Sequence, residues 1–178
     1  MKIKMILAMD ENNTIGNDGD LPWKLKSDMK RFRELTTGDG FNAVVMGRKT
    51  WNSIPEKYRP LPDRLNIVMS RDSKLSLQGA EVALYDGRAI EIGYSEGCED
   101  LWVIGGSEIY RLFLPRCDEI HLTRVHEKIG GDTIFDGINL EDWTITALEE
   151  LSNQSGDEYD TTYSVSYTHL TLPTSFLV

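Results

Sequence analysis

Ala43-Val44-Val45-Met46-Gly47-Arg48-Lys49-Thr50-Trp51 runs from an unbroken apolar stretch, through a single glycine, into a charged segment with helical character. An apolar run without alternation reads as a strand covered on both faces, which is the habit of parallel sheets. Trp102-Val103-Ile104-Gly105-Gly106 repeats the arrangement before a second helical segment. Outward from these two, strands are expected at Ile3–Met9, Ala43–Met46, Leu65–Met69, Val82–Leu84 and Leu101–Ile104. Helices are expected between them at Leu25–Thr36, Lys49–Ile54, Arg88–Tyr94 and Glu108–Leu114. Such alternation predicts right-handed crossovers and a mainly parallel sheet with helices on both faces. After Pro115 the pattern changes to strands alone, at Glu119–Val125, Thr144–Leu151 and Thr161–Tyr167. The polar turn Asn153-Gln154-Ser155-Gly156-Asp157 predicts that the last two pair antiparallel at the sheet edge. The expected fold is α/β, with an eight-stranded, mostly parallel sheet and an antiparallel C-terminal strand.

The chain of 178 residues suits one domain, placed at 1–168. Its formal net charge of -10 argues against nucleic acid or an anionic membrane as partner, since both would be repelled. Cys98 and Cys117 offer neither a disulfide framework nor metal-ligand spacing, so a reducing cytoplasm is the expected compartment. The N-terminal apolar run is too short for a signal peptide, and no stretch is long enough to span a bilayer. Nothing calls for a second copy, and a monomer is expected. The last ten residues, 169–178, are apolar and uncharged; they read as a scar or frame-shifted end rather than as native sequence.

Three loops fall at the carboxyl ends of apolar strands, where open α/β folds bind ligands. Gly47-Arg48-Lys49-Thr50 opens a helix, whose unpaired N–H groups and adjacent cations favour an anion; solvated surface charges are the plainer reading. Gly105-Gly106 lets backbone approach a ligand closely, with Ser107 expected to cap the next helix, or simply permits a tight turn. Ser70-Arg71-Asp72 leaves a third strand. Two of the three loops carry arginine, which suggests several phosphates. No G-x-G-x-x-G or Walker sequence occurs.

Asp28 is the least comfortable residue of the chain. Leu25, Met29, Phe32 and Leu35 recur at helical spacing, and at 100° per residue Asp28 falls on their apolar stripe, with no basic residue expected on the same face. A carboxylate there costs several kcal/mol of desolvation unless something pairs with it. Asp28 is thus either a pocket acid awaiting a ligand with a cationic or N–H-rich edge, or an ordinary first-turn acid answering the helix dipole. Leu21-Pro22-Trp23, just upstream, favours the pocket. The scattered histidines His121, His126 and His169 give no catalytic triad, and no metal site is expected.

Taken in order, several motifs resemble dihydrofolate reductases of the bacterial type, from about Ile3 to Tyr167. They are Ile15-Gly16, Leu21-Pro22-Trp23, Asp28, Phe32, Met46-Gly47-Arg48-Lys49-Thr50-Trp51, Ser53-Ile54, Pro60-Leu61-Pro62-Asp63-Arg64, Ser70-Arg71, Val103-Ile104-Gly105-Gly106 and Gly131-Asp132-Thr133. The resemblance implies NADPH-dependent reduction of 7,8-dihydrofolate, with Asp28 as the acid that grasps the pterin, Thr123 buttressing it and Trp23 holding a water beside it. It implies Ile6, Ala8, Met29, Phe32, Ile54 and Ile104 as pocket walls and Arg64 as the clamp on the substrate's α-carboxylate. On the cofactor side it implies Ala8, Ile15 and Gly16 against the nicotinamide and Gly105 and Gly106 along the cofactor. Gly47, Arg48, Lys49, Thr50, Ser70 and Arg71 would stand around its phosphates. The Met9–Trp23 stretch resembles a loop that closes over the nicotinamide. Two other readings stay open: a related NADPH reductase of the riboflavin pathway, which would need neither Asp28 nor Arg64, and a pteridine- or nucleotide-binding protein without catalysis.

Overall fold

The computed structural model describes residues 1–153 and 156–168. Its elements run β1 (Lys2–Met9), β2 (Thr14–Gly16), α1 (Lys26–Thr37), β3 (Ala43–Gly47), α2 (Arg48–Ser53), β4 (Leu65–Met69) and β5 (Glu81–Ala83). There follow α3 (Asp86–Ser95), β6 (Asp100–Gly105), α4 (Ser107–Phe113), β7 (Glu119–Val125), β8 (Thr133–Ile134), β9 (Trp143–Leu151) and β10 (Thr161–Thr168). Eight strands form one sheet in the order β5-β4-β3-β6-β1-β7-β10-β9. All neighbours from β5 to β7 are parallel, and β10 pairs antiparallel with both β7 and β9. The α/β reading holds, with the antiparallel pair at the edge where it was expected. The terminal segment 169–178 and part of the Asn153–Asp157 turn lie outside the described residues.

The two faces of the sheet divide the core. Ile3, Met5, Leu7 and Met9 of β1 pack with Val45, Ile67, Val103, Leu122 and Phe113 on one side. The intervening Ile6 turns to the other face, with Val44, Met46, Trp51, Val68 and Trp102, and Ala8 joins Trp23, Leu25 and Val125 there. Val44, Val45, Val68 and Val103 are fully buried, each contributing about 1.5–3 kcal/mol of apolar burial. A run without polar breaks was therefore the correct signature of the central strands. Among the described residues, no helix is long and apolar enough to cross a membrane.

One element had no sequence signal. β2 and β8 form a separate two-stranded ribbon, Thr14 pairing with Ile134 and Gly16 with Thr133. Its first strand lies within the Met9–Trp23 stretch expected as a loop, its second far along the chain at Thr133–Ile134. Strands of three and two residues carry no periodicity to detect.

Candidate active site

The carboxyl ends of β3, β4 and β6 lie side by side, so the three expected loops converge. In the sheet, Met46 pairs with Gly105 and Gly47 with Met69. A Cβ on Gly105 would stand 3.1 Å from the Tyr110 hydroxyl, and its φ of +116° suits glycine alone. At Gly106 the only neighbour of such a Cβ is Thr50 Oγ1, at 3.8 Å, so that turn opens toward α2. Helix α2 begins at Arg48 with no side-chain cap on its first N–H groups. The half-exposed Arg48 Nη1 stands 4.0 Å from Asp72, linking the first loop to the third. Ser70 Oγ accepts the Asp72 N–H at 3.1 Å, and Arg71 is exposed. Ser107 does not cap α4: the cap position belongs to Gly106, whose carbonyl accepts the N–H groups of Ile109 and Tyr110. Small residues, open N–H groups and exposed cations in one place fit a phosphate-bearing ligand.

On the α1 face, Thr123 Oγ1 donates to Asp28 Oδ1 at 2.6 Å, fastening the helix to β7. Asp28 does lie in the first turn of α1, but the hydrogen bond it accepts comes from β7 and not from a helix N–H group. The α1 N-terminus is served instead by Asp157, whose Oδ1 accepts the Ser27 N–H at 2.9 Å. The Asp28 side chain keeps 20% of its exposure, and no described residue donates to its Oδ2. Burial lifts its carboxyl above the ordinary range, the Thr123 hydroxyl and Arg31 guanidinium pull it down, and Asp157 pushes it up again. The expectation that no basic residue shares its face is corrected. Arg31 Nη1 lies 3.9 Å from Asp28 Oδ1, because residues three apart on a helix are neighbours.

Of the expected pocket walls, Ile6, Ala8, Ile104, Ile54 and Phe32 are half-buried; Ile6, Ile54 and Ile104 pack against one cluster and Ala8 against another on the same face of the sheet. Met29 is 53% exposed and joins no core cluster. Trp23 is buried, and its indole Nε1 has no partner among the described residues; a buried donor of this kind needs a water or ligand. Arg64 is held by Nε to the Pro62 carbonyl at 2.9 Å and by Nη1 to Thr36 Oγ1 at 3.0 Å. Thr36 sits eight residues beyond Asp28, which is about 12 Å along the helix axis. The acid and the Thr36 hydroxyl that holds the arginine thus stand about two turns apart along α1. Beside Arg64, a hollow of about 410 Å³ is lined by Arg33, Glu34, Thr37, Gly38, Pro62 and Asp63.

The Met9–Trp23 loop is anchored at its root. Asp10 is fully buried; its Oδ1 accepts N–H groups of Asn12 and Thr14, and its Oδ2 those of Ile129 and Gly130. Burial pushes this carboxyl up, but bonds from Gly130, Thr14 and Asn12 outweigh it and hold it below the ordinary range. Arg124 Nη1 donates to the Asp10 carbonyl and to Asn13 Oδ1, both at 2.7 Å. Farther out, Asp132 accepts the Asp18 N–H at 2.9 Å. Ile15 and Gly16 lie in β2, half-buried. Asp10 and Arg124 were missed by the sequence reading. Asp10 ends a buried strand and carries a charge, which was the available signal.

A family model described as dihydrofolate reductase matches residues 2–168. The chain belongs to the dihydrofolate reductase family. The dihydrofolate reductase of Staphylococcus haemolyticus is 35% identical over 162 residues, 90% of this chain and 92% of that one. The dihydrofolate reductase of Heliothis virescens is 38% identical over 174 residues, covering 92% of this chain and 94% of its own. Among solved structures, the dihydrofolate reductase of Enterococcus faecalis complexed with NADP(H) superposes with a TM-score of 0.82. The two are 31% identical, with 95% of this chain and 97% of that one covered.

Proposed function

We propose that the chain reduces 7,8-dihydrofolate to 5,6,7,8-tetrahydrofolate with NADPH, and that Asp28, Thr123 and Trp23 form its reaction centre. One observation carries this reading: a largely buried carboxylate spends Oδ1 on the protein and keeps Oδ2 for something else. An ionised carboxylate only accepts, so it selects a heterocycle edge presenting two N–H donors. NADPH, when bound, supplies the hydride delivered to C6 of the pterin. Gly47, Arg48, Lys49, Thr50, Ser70 and Arg71 would hold its phosphates, Gly105 and Gly106 would let it lie close, and Ala8, Ile15 and Gly16 would face its nicotinamide. The basic Ser70-Arg71 loop suits a 2′-phosphate.

The chain's own part in the reaction is orientation, electrostatics and dehydration. Asp28 fixes the ring, and its negative charge favours protonation at N5. Trp23 Nε1 can hold the water through which that proton travels. The Met9–Trp23 loop shuts out bulk solvent. Ile6, Ala8, Met29, Phe32, Ile54 and Ile104 would border the substrate, and Arg64 would grip its α-carboxylate. A riboflavin-pathway reductase would need neither the acid nor the arginine. The test is loss of nicotinamide absorbance with purified protein, NADPH and dihydrofolate. Dihydrofolate-dependent oxidation is expected; a rate no higher than that without enzyme would overturn the reading.

A further inference from the structure

We infer that Arg31 is a positioning residue for this reaction, one that keeps Asp28 an anion with Oδ2 turned toward the substrate; this rests on the reductase reading. The guanidinium is fixed from three sides. Its carbon lies 4.0 Å from the Tyr163 ring centroid, Nη2 reaches Glu149 at 3.3 Å, and Nη1 faces Asp28 Oδ1 at 3.9 Å. Nη1 is buried and has no hydrogen-bond partner among the described residues. Tyr163 is itself pinned, its hydroxyl 2.6 Å from His121 Nδ1, and it pairs in register with Thr123. The same strand pair therefore carries Thr123, which donates to Oδ1, and Tyr163, which backs the α1 guanidinium facing that oxygen. Because hydroxyl and guanidinium both approach that oxygen, Oδ2 is the one left for a ligand.

Arginine suits this task because it never deprotonates, so its field on Asp28 is constant across pH. Its two anions are unequal. Glu149 is 58% exposed and screened by solvent, whereas Asp28 is 20% exposed, so the buried acid feels the guanidinium more. The other groups around Asp28 are the Thr123 hydroxyl from β7, Asp157 from the segment before β10, and Tyr110 from α4. Behind Tyr163 stand His121 and Glu119, with Lys4 of β1 at 3.2 Å from Glu119. None of these supplies a second cation to Asp28.

The experiment is a pH titration of the Asp28 carboxyl by carbon NMR in full-length protein, assigned with Asp28→Asn, together with the pH profile of kcat/KM. In Arg31→Met the carboxyl should titrate about one pH unit higher, and the acid-side loss of kcat/KM should move by the same amount. Arg31→Lys should restore most of the shift. A uniform fall in kcat/KM with an unmoved titration would mark Arg31 as structural and overturn the inference. Should Arg31→Met fail to fold, Arg31→Gln removes the same charge while keeping a polar head, and should also move the titration to higher pH; no movement overturns the inference. The NMR titration needs no turnover, so failure of the reductase reading would show separately, in the native assay.

Discussion

Asp28 is held where a charge is expensive, and its burial is only partly answered by Thr123 and Arg31. Its carboxyl is raised above the ordinary range in the folded chain, so the folded state binds the proton more tightly than the unfolded state does. That contribution favours folding at acid pH and is lost as pH rises through the raised value. Asp28→Asn keeps an acceptor for the Thr123 hydroxyl and removes the charge. The ligand-free variant should melt about 2–4 °C higher at neutral pH, with the gap closing at acid pH. Equal melting temperatures at neutral pH would mean that the acid is fully compensated by its neighbours. The sequence showed that Asp28 was out of place but not what stood beside it. A helical wheel places residues by angle, and the long, flexible arm of Arg31 crosses that angle to reach the acid.

At the scale of elements, the Met9–Trp23 loop depends on Asp10, whose two oxygens accept four backbone N–H groups from both sides of the β2–β8 ribbon. Asp10→Asn would turn an amide N–H₂ toward donors and strand two of them. We expect a loss of about 2–4 kcal/mol in urea unfolding and a lower kcat from a loosened loop. The native stabilisation should persist at neutral pH and disappear as pH falls through the depressed Asp10 pKa. An unchanged unfolding midpoint would remove this anchor from the account. Central strands such as Val44–Met46 were legible because their runs are apolar on both faces. The ribbon was not, since its pairing joins short segments more than a hundred residues apart. The cap of α4 was misread for a related reason: Ser107 has the right chemistry, but the backbone of Gly106 already occupies that position.

The whole molecule is acidic, with a net charge of -10, yet it gathers Arg48, Lys49 and Arg71 at one end of its sheet. Cofactor recognition should therefore be local and salt-sensitive, with the KM for NADPH rising as ionic strength grows. Arg71→Ala should narrow the preference for NADPH over NADH about tenfold, the worth of one charge-assisted hydrogen bond; unchanged selectivity would move the 2′-phosphate site elsewhere. The two halves of the site are built on different faces and loops, so they should fail separately. The most direct measurement is of Asp28→Asn, comparing turnover at neutral pH with NADPH affinity by fluorescence titration. The account predicts turnover reduced at least about a hundredfold with the NADPH affinity unchanged. Retained turnover with collapsed NADPH binding would contradict it.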